Sequence, residues 1–256
     1  MSSDRFVLAV AVAMFAAGLL GLLLQRVLPE HHTTGGSRDL IGAIAGLLTL
    51  LCALVAGLLI WTAYGVYSGQ NLQIQAVASK VMQLDLALSD YGPEATPIRA
   101  DLRDALGKTI DQLWHVRQSD DNFAANNFAS ALENMRSREK ALAKLHPTTD
   151  DQKQALAAAT SASDALGQAR MQMSFALSAP VAYPVLLIVV GWVGCLFCGF
   201  GLTARGTVTS VIALAVGSIA IASAVLLILD LSNPYSGIVR ASHAPLEQAL
   251  AVMGKE

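Results

Sequence analysis

Four stretches of this 256-residue chain carry no charged side chain: 6–25, 40–79, 171–204 and 206–229. A helix needs about 20 predominantly apolar residues to cross the hydrocarbon core of a bilayer, so each stretch is long enough. They predict four transmembrane helices, at about 6–27, 40–66, 183–204 and 207–230. The first apolar run is longer than the ~7–15 residues of a signal-peptide core. It ends at Gln25-Arg26 without a small-residue cleavage site, which argues for an uncleaved first helix.

The charges sit elsewhere. Only 14% of the chain is charged, yet 24 of its 36 charged residues fall in the 91 residues from Lys80 to Arg170. That is an ordinary soluble density, so the middle segment reads as an extramembrane domain inserted between helices two and three. The expected fold class is an all-α integral membrane protein with four transmembrane helices and a helical extramembrane domain. The expected boundaries are 1–69 for helices one and two, 70–180 for the helical domain, 181–231 for helices three and four, and 232–256 for a C-terminal juxtamembrane segment. Four crossings put both termini and the middle domain on one side. Fourteen Lys and Arg lie on that side and three on the other, which favours a cytoplasmic middle domain and termini. Counted only near the helix ends, the balance is close to even: Arg5, Lys80, Arg170 and Arg240 against Arg26, Arg38 and Arg205.

Helix two has no turn signal until Asp90-Tyr91-Gly92-Pro93, and apolar residues recur at helical spacing at Ile74, Val77, Ala78, Val81, Met82 and Leu88. It is expected to run on beyond the membrane as one rod. Further helices are expected near 97–118 and 122–145, the latter ending before His146-Pro147. Thr148, Thr149 and Asp150 can cap an Ala-rich third from Gln152 to about Leu177, and Pro180 and Pro184 precede helix three.

Little here speaks for chemistry. Net charge is −2, so no basic field exists to hold nucleic acid. Three cysteines cannot make a disulfide scaffold. There is no phosphate-binding loop, no HExxH, no paired-cysteine zinc spacing, and no nucleophile, base and orienting group together, so neither an enzyme, a cofactor nor a metal site is expected. His31-His32 beside Glu30 reads as an exposed polar loop, and His115 beside Trp114 as a surface or packing residue. The runs Arg136-Ser137-Arg138-Glu139-Lys140 and Asp120-Asp121 read as solvated helix faces or caps. Cys52, Cys195 and Cys198 read as small packing residues, thiolates being disfavoured in a lipid-embedded helix.

Two features stand out. Helix two carries Gly42 and Gly46 as a GxxxG, continued by Ala53 and Gly57, with Thr49 near the same face, Tyr64 and Tyr67 near its far end, and Trp61 as an interfacial anchor. Small-residue spacing lets helices approach closely, either within the chain or in an oligomer whose second helix faces a central axis. The second feature closes helix four: Asp230 directly follows an apolar run, Asn233-Pro234 is a turn signal and Gly237 permits unusual backbone.

That closing stretch, 229–242 (LDLSNPYSGIVRAS) followed by Pro245-Leu246, resembles the motif of the bacterial bestrophin-like domain family. Its members end helix four with an Asp, then Pro-aromatic-Ser-Gly and a basic residue, here Asp230, Pro234, Tyr235, Ser236, Gly237 and Arg240. Trp192, Leu196-Phe197 and Gly199 through Leu202 resemble the family's third helix, and Ile41-Gly42-Ala43 through Leu54 its second. The chain departs from the family after helix two, where Gln73 to Lys80 replaces an acidic, Asn- and Gly-containing motif and Tyr67-Ser68-Gly69-Gln70 lacks the usual basic residues. The acidic calcium clasp of animal bestrophins is absent after helix four.

The resemblance implies a homo-oligomeric ion channel, since true bestrophins are homopentamers, mostly anion-selective, with helix two lining the pore and apolar side chains forming its neck. Carried onto this chain, the pore face includes Thr49, Ala53, Ala56, Ile60 and Tyr64, with Ile60 the apolar constriction that gates by dewetting. No Lys or Arg lies in this span, so selectivity is not legible and leans towards anions only by resemblance. The implied partners are the lipid bilayer, further copies of the chain and small inorganic ions, in a bacterial cytoplasmic membrane. The rival reading is a non-conducting membrane scaffold or sensor that acts through its cytoplasmic helical domain.

Overall fold

The computed structural model describes residues 3–27, 36–114, 123–177, 183–204, 206–232, 235 and 239–253. Eight α-helices make up these residues, with no strand among them: α1 (Ser3–Val27), α2 (Gly36–Tyr91), α3 (Thr96–Trp114), α4 (Phe123–Leu142), α5 (Asp150–Leu177), α6 (Tyr183–Thr203), α7 (Val208–Ser232) and α8 (Ala244–Met253). Four are long and apolar enough to cross a membrane: α1, α2, α6 and α7. The chain divides into two compact units. One holds Met1–Gly65 with Pro180–Ser232, the other Val66–Ala179 with Asn233–Glu256.

In the first unit α1 packs on α6 and α7. Glycine decides how closely. A Cβ added to Gly21 would collide with the carbonyl oxygen of Cys198, and one added to Gly201 would collide with that of Gly18. The two backbones therefore touch, which is how apolar helices associate where burial against lipid brings little gain. Met14 of α1 lies 3.6 Å from where a Cβ on Gly194 of α6 would stand, so the two helices stay close further along the seam. The small-residue contact within the chain thus lies on α1 and α6. Gly42, Gly46 and Gly57 of α2 have nothing within 4 Å of an added Cβ among the described residues. Within the chain Cys52 is buried, Cys198 half-buried and Cys195 exposed.

The second unit is built like a soluble bundle. From Gln70 onward α2 buries Ile74, Val77, Val81, Leu84, Leu88 and Tyr91 at alternating steps of three and four, one face of a helix. Gly92 adopts φ 115°, which a side chain would strain, and so turns the chain into Pro93–Ala95 and α3. Across this turn Arg99 donates Nε to Asp85 Oδ1 at 2.8 Å and Nη2 to Oδ2 at 3.0 Å, a bidentate pair that ties α3 to α2. Thr149 caps α5 by accepting the Gln152 N–H at 3.1 Å, while Gln152 Oε1 accepts the Thr148 N–H at 2.8 Å. Leu102, Leu113, Ala159, Leu166, Met173 and Leu246 complete the core. The C-terminal residues belong to this bundle: α8 packs on α3, and Trp114 Nε1 donates to Ala241 O at 2.9 Å.

Candidate functional site

The first half of α2 is the least covered apolar surface in the first unit. Only 6% of its apolar window is buried, against 22–28% for the other three membrane-length helices. Three sectors can be separated by helical spacing. One faces inward and holds Ala45, Leu48, Cys52, Leu59 and Ala63, all buried or half-buried. A second, Leu40, Ile44, Leu47, Leu51, Leu54, Leu58 and Trp61, is bulky and exposed. The third holds Gly42, Gly46, Thr49, Ala53, Gly57, Ile60 and Tyr64, which are small or polar except for Ile60 and Tyr64.

Thr49, Ala53 and Ala56 border an apolar cavity of about 310 Å³ that Cys52 and Leu59 share with α6 and α7, including Val193, Phe197 and Val225. Small side chains on α2 leave that space. Ile60 is half-buried and Tyr64 exposed, both outside the cavity wall. The Thr49 hydroxyl donates to Ala45 O at 2.7 Å, so its hydrogen is engaged by its own helix and only oxygen lone pairs remain to face outward. Trp61 is exposed.

The closing motif is split between the units. Asp230 is buried in the last turn of α7, and Arg240 is exposed. Tyr235 is buried in the second unit, 3% exposed, where its hydroxyl donates to Gln70 Oε1 at 2.7 Å and its ring meets Trp114 edge-on at 5.2 Å. The His243 ring also meets this indole edge-on, 5.7 Å away. Burial raises the Tyr235 hydroxyl above its ordinary pKa and Arg170 pulls it partly back, so at neutral pH it is a neutral donor that pins the C-terminal segment to α2. The spacing signal that could have revealed Gln70 is its place one turn before Ile74 on the buried stripe; nothing local marks its partner, 165 residues away. Pro234, Ser236 and Gly237, like His31, His32, His115, Asp120 and Asp121, lie outside the described residues.

Residues 12–246 match the Bestrophin-like domain family, and the chain belongs to it. Its fold is similar to that of a bacterial bestrophin homologue from Klebsiella pneumoniae, seen in two crystal structures. One carries a single Ile-to-Thr substitution (TM-score 0.70, 13% identity, 98% of this chain and 99% of that one). The other carries a single Trp-to-Ala substitution (TM-score 0.64, 13% identity, 100% and 99%). A comparison with curated proteins gives no match. Family membership and four helices of membrane length together make this an integral membrane protein.

Proposed function

We propose that this protein is a homo-oligomeric ion channel with its conduction path lined by the first half of α2. The observation that carries the reading is the bareness of that helix: 6% of its apolar window is covered within the chain, so lipid or further copies must cover the rest. Of its two exposed sectors, the leucine-rich one suits hydrocarbon. The sector of Gly42, Gly46, Thr49, Ala53, Ile60 and Tyr64 suits an axis, because small side chains leave room for a passage and Ile60 supplies an apolar constriction. Ala56, at the cavity edge, flanks it. Helices α1, α2, α6 and α7 cross the bacterial cytoplasmic membrane in this reading, at residues 1–69 and 181–231. The helical domain of 70–180 and both termini are cytoplasmic. Bestrophin resemblance favours anions and pentamers, whereas the outward lone pairs of Thr49 favour cations, so selectivity belongs to the experiment.

The test is ion flux from liposomes that contain the purified protein, under chloride, potassium and sodium gradients. Flux above empty liposomes, raised by Ile60→Ala, is expected. Absence of flux under every gradient sinks the channel and leaves the scaffold or sensor reading. A view of the particle along the membrane normal gives the copy number and reveals whether an axial passage exists.

A further inference from the structure

Helices α4 and α5 each turn an arginine into the second unit. Arg170 is 6% exposed. Arg138, from the run expected to be a solvated face, is half-buried while Arg136, Glu139 and Lys140 beside it stay exposed, so that expectation is corrected at this position. Both border one cavity of about 30 Å³. Its polar wall consists of Thr109, Asn134, Arg138 and Arg170, its apolar wall includes Val77 and Leu102, and among the described residues no carboxylate lines it.

The two guanidinium groups are poorly served by the protein. Arg170 reaches Asn127 Oδ1 at 3.5 Å and Met173 Sδ at 3.7 Å, and Arg138 reaches Ser163 Oγ at 3.5 Å, all at the long limit of a hydrogen bond. Each guanidinium carries five N–H donors, so most are left over. Burial above all lowers the Arg170 pKa to about 10, with Tyr235 working against the fall and the nearby Arg138 adding to it. Burial also lowers that of Arg138, and Glu139 opposes this only in part. Arg170 therefore stays charged at neutral pH. One buried and one half-buried positive charge on the same cavity favour a group of opposite sign between them.

We propose that the cavity between Arg138 and Arg170 is a binding site for a small monovalent anion of halide size, held by the two guanidinium groups with Asn134 and Thr109 as further donors. Volume sets the class. About 30 Å³ is room for one or two water-sized particles, which suits a halide ion. The wall offers hydrogen-bond donors and positive charge and no acid, which selects an anion over a cation. The site lies wholly within the second unit and requires nothing of ion conduction.

Bromide is the probe, used with the purified full-length protein. Diffraction from crystals grown in bromide should give an anomalous peak between the two guanidinium groups. Thermal unfolding at constant ionic strength should rise by about 2–4 °C in chloride or bromide relative to gluconate, with no rise in phosphate. Arg138→Gln should abolish the halide shift, yet in gluconate it should unfold no earlier than the parent, because one of two like charges is gone. A water-filled cavity with no bromine peak, or a halide shift of equal size in Arg138→Gln, overturns the proposal. The bromine peak in the unsubstituted protein decides the matter if the variant fails to fold. Liposome flux enters none of these readouts, so a non-conducting protein leaves the site standing.

Discussion

The two halves of α2 obey the same periodicity and meet opposite fates. Leu40, Ile44, Leu47, Leu51, Leu54, Leu58 and Trp61 repeat at steps of four and three, and all are exposed. Ile74, Val77, Val81, Leu84, Leu88 and Tyr91 repeat at the same steps, and all are buried. One continuous 56-residue helix thus presents an apolar stripe to the outside in one half and to a core in the other. A helical stripe reports that a face wants an apolar neighbour. It does not report whether that neighbour is the same chain, another copy or lipid.

Three substitution pairs sharpen or break this contrast. The largest effect is expected at the glycines. Gly21→Val forces a branched side chain into the Cys198 carbonyl and should abolish folded protein, whereas Gly46→Val meets nothing within the protomer. Detergent-solubilised yield and size-exclusion profile measure both. A Gly46→Val variant that is as poorly folded as Gly21→Val would place a second copy against that face. Next, Leu88→Ala should cost about 2–5 kcal/mol, as for other fully buried leucines, while Leu54→Ala, at a position 73% exposed, should stay within about 0.5 kcal/mol. Equal losses in thermal stability would show that Leu54 is buried in an oligomer. The smallest is Tyr235→Phe, which strands Gln70 Oε1 in the core and should cost about 1–3 kcal/mol. Serine in place of Thr49, at an exposed position with its own helical partner, should leave stability unchanged by comparison.

Much of the fold was legible because helices and membrane spans are written in local patterns. The run from Gly36 to Tyr91 had no breaker before Gly92-Pro93, and Thr149 stood where a cap belongs before an Ala-rich helix. The candidate site was legible only in part. The third sector of α2 could be assembled by spacing from Gly42 to Tyr64, but the cavity beside Thr49, Ala53 and Ala56 depends on how far α6 and α7 stand off. Small-residue spacing on α2 drew attention to the wrong glycines for packing within the chain, since Gly18, Gly21 and Gly201 make the close crossing. Arg138 looked like one more charge in a solvated run. Its inward turn follows from its place on α4 relative to α5, which a run of five charged or polar residues does not encode.

By itself the sequence determined which segments are helices, which four are apolar enough for a bilayer, and where charge is concentrated, because these depend on neighbours three or four residues away and on transfer from water. That Gln70 meets Tyr235 and that Arg138 and Arg170 share one cavity came from the packing of the helices. That packing also left the first half of α2 bare while its second half fills a core. Those outcomes depend on which helix lies across from which, and a periodic pattern fixes the direction of a face without naming what it faces.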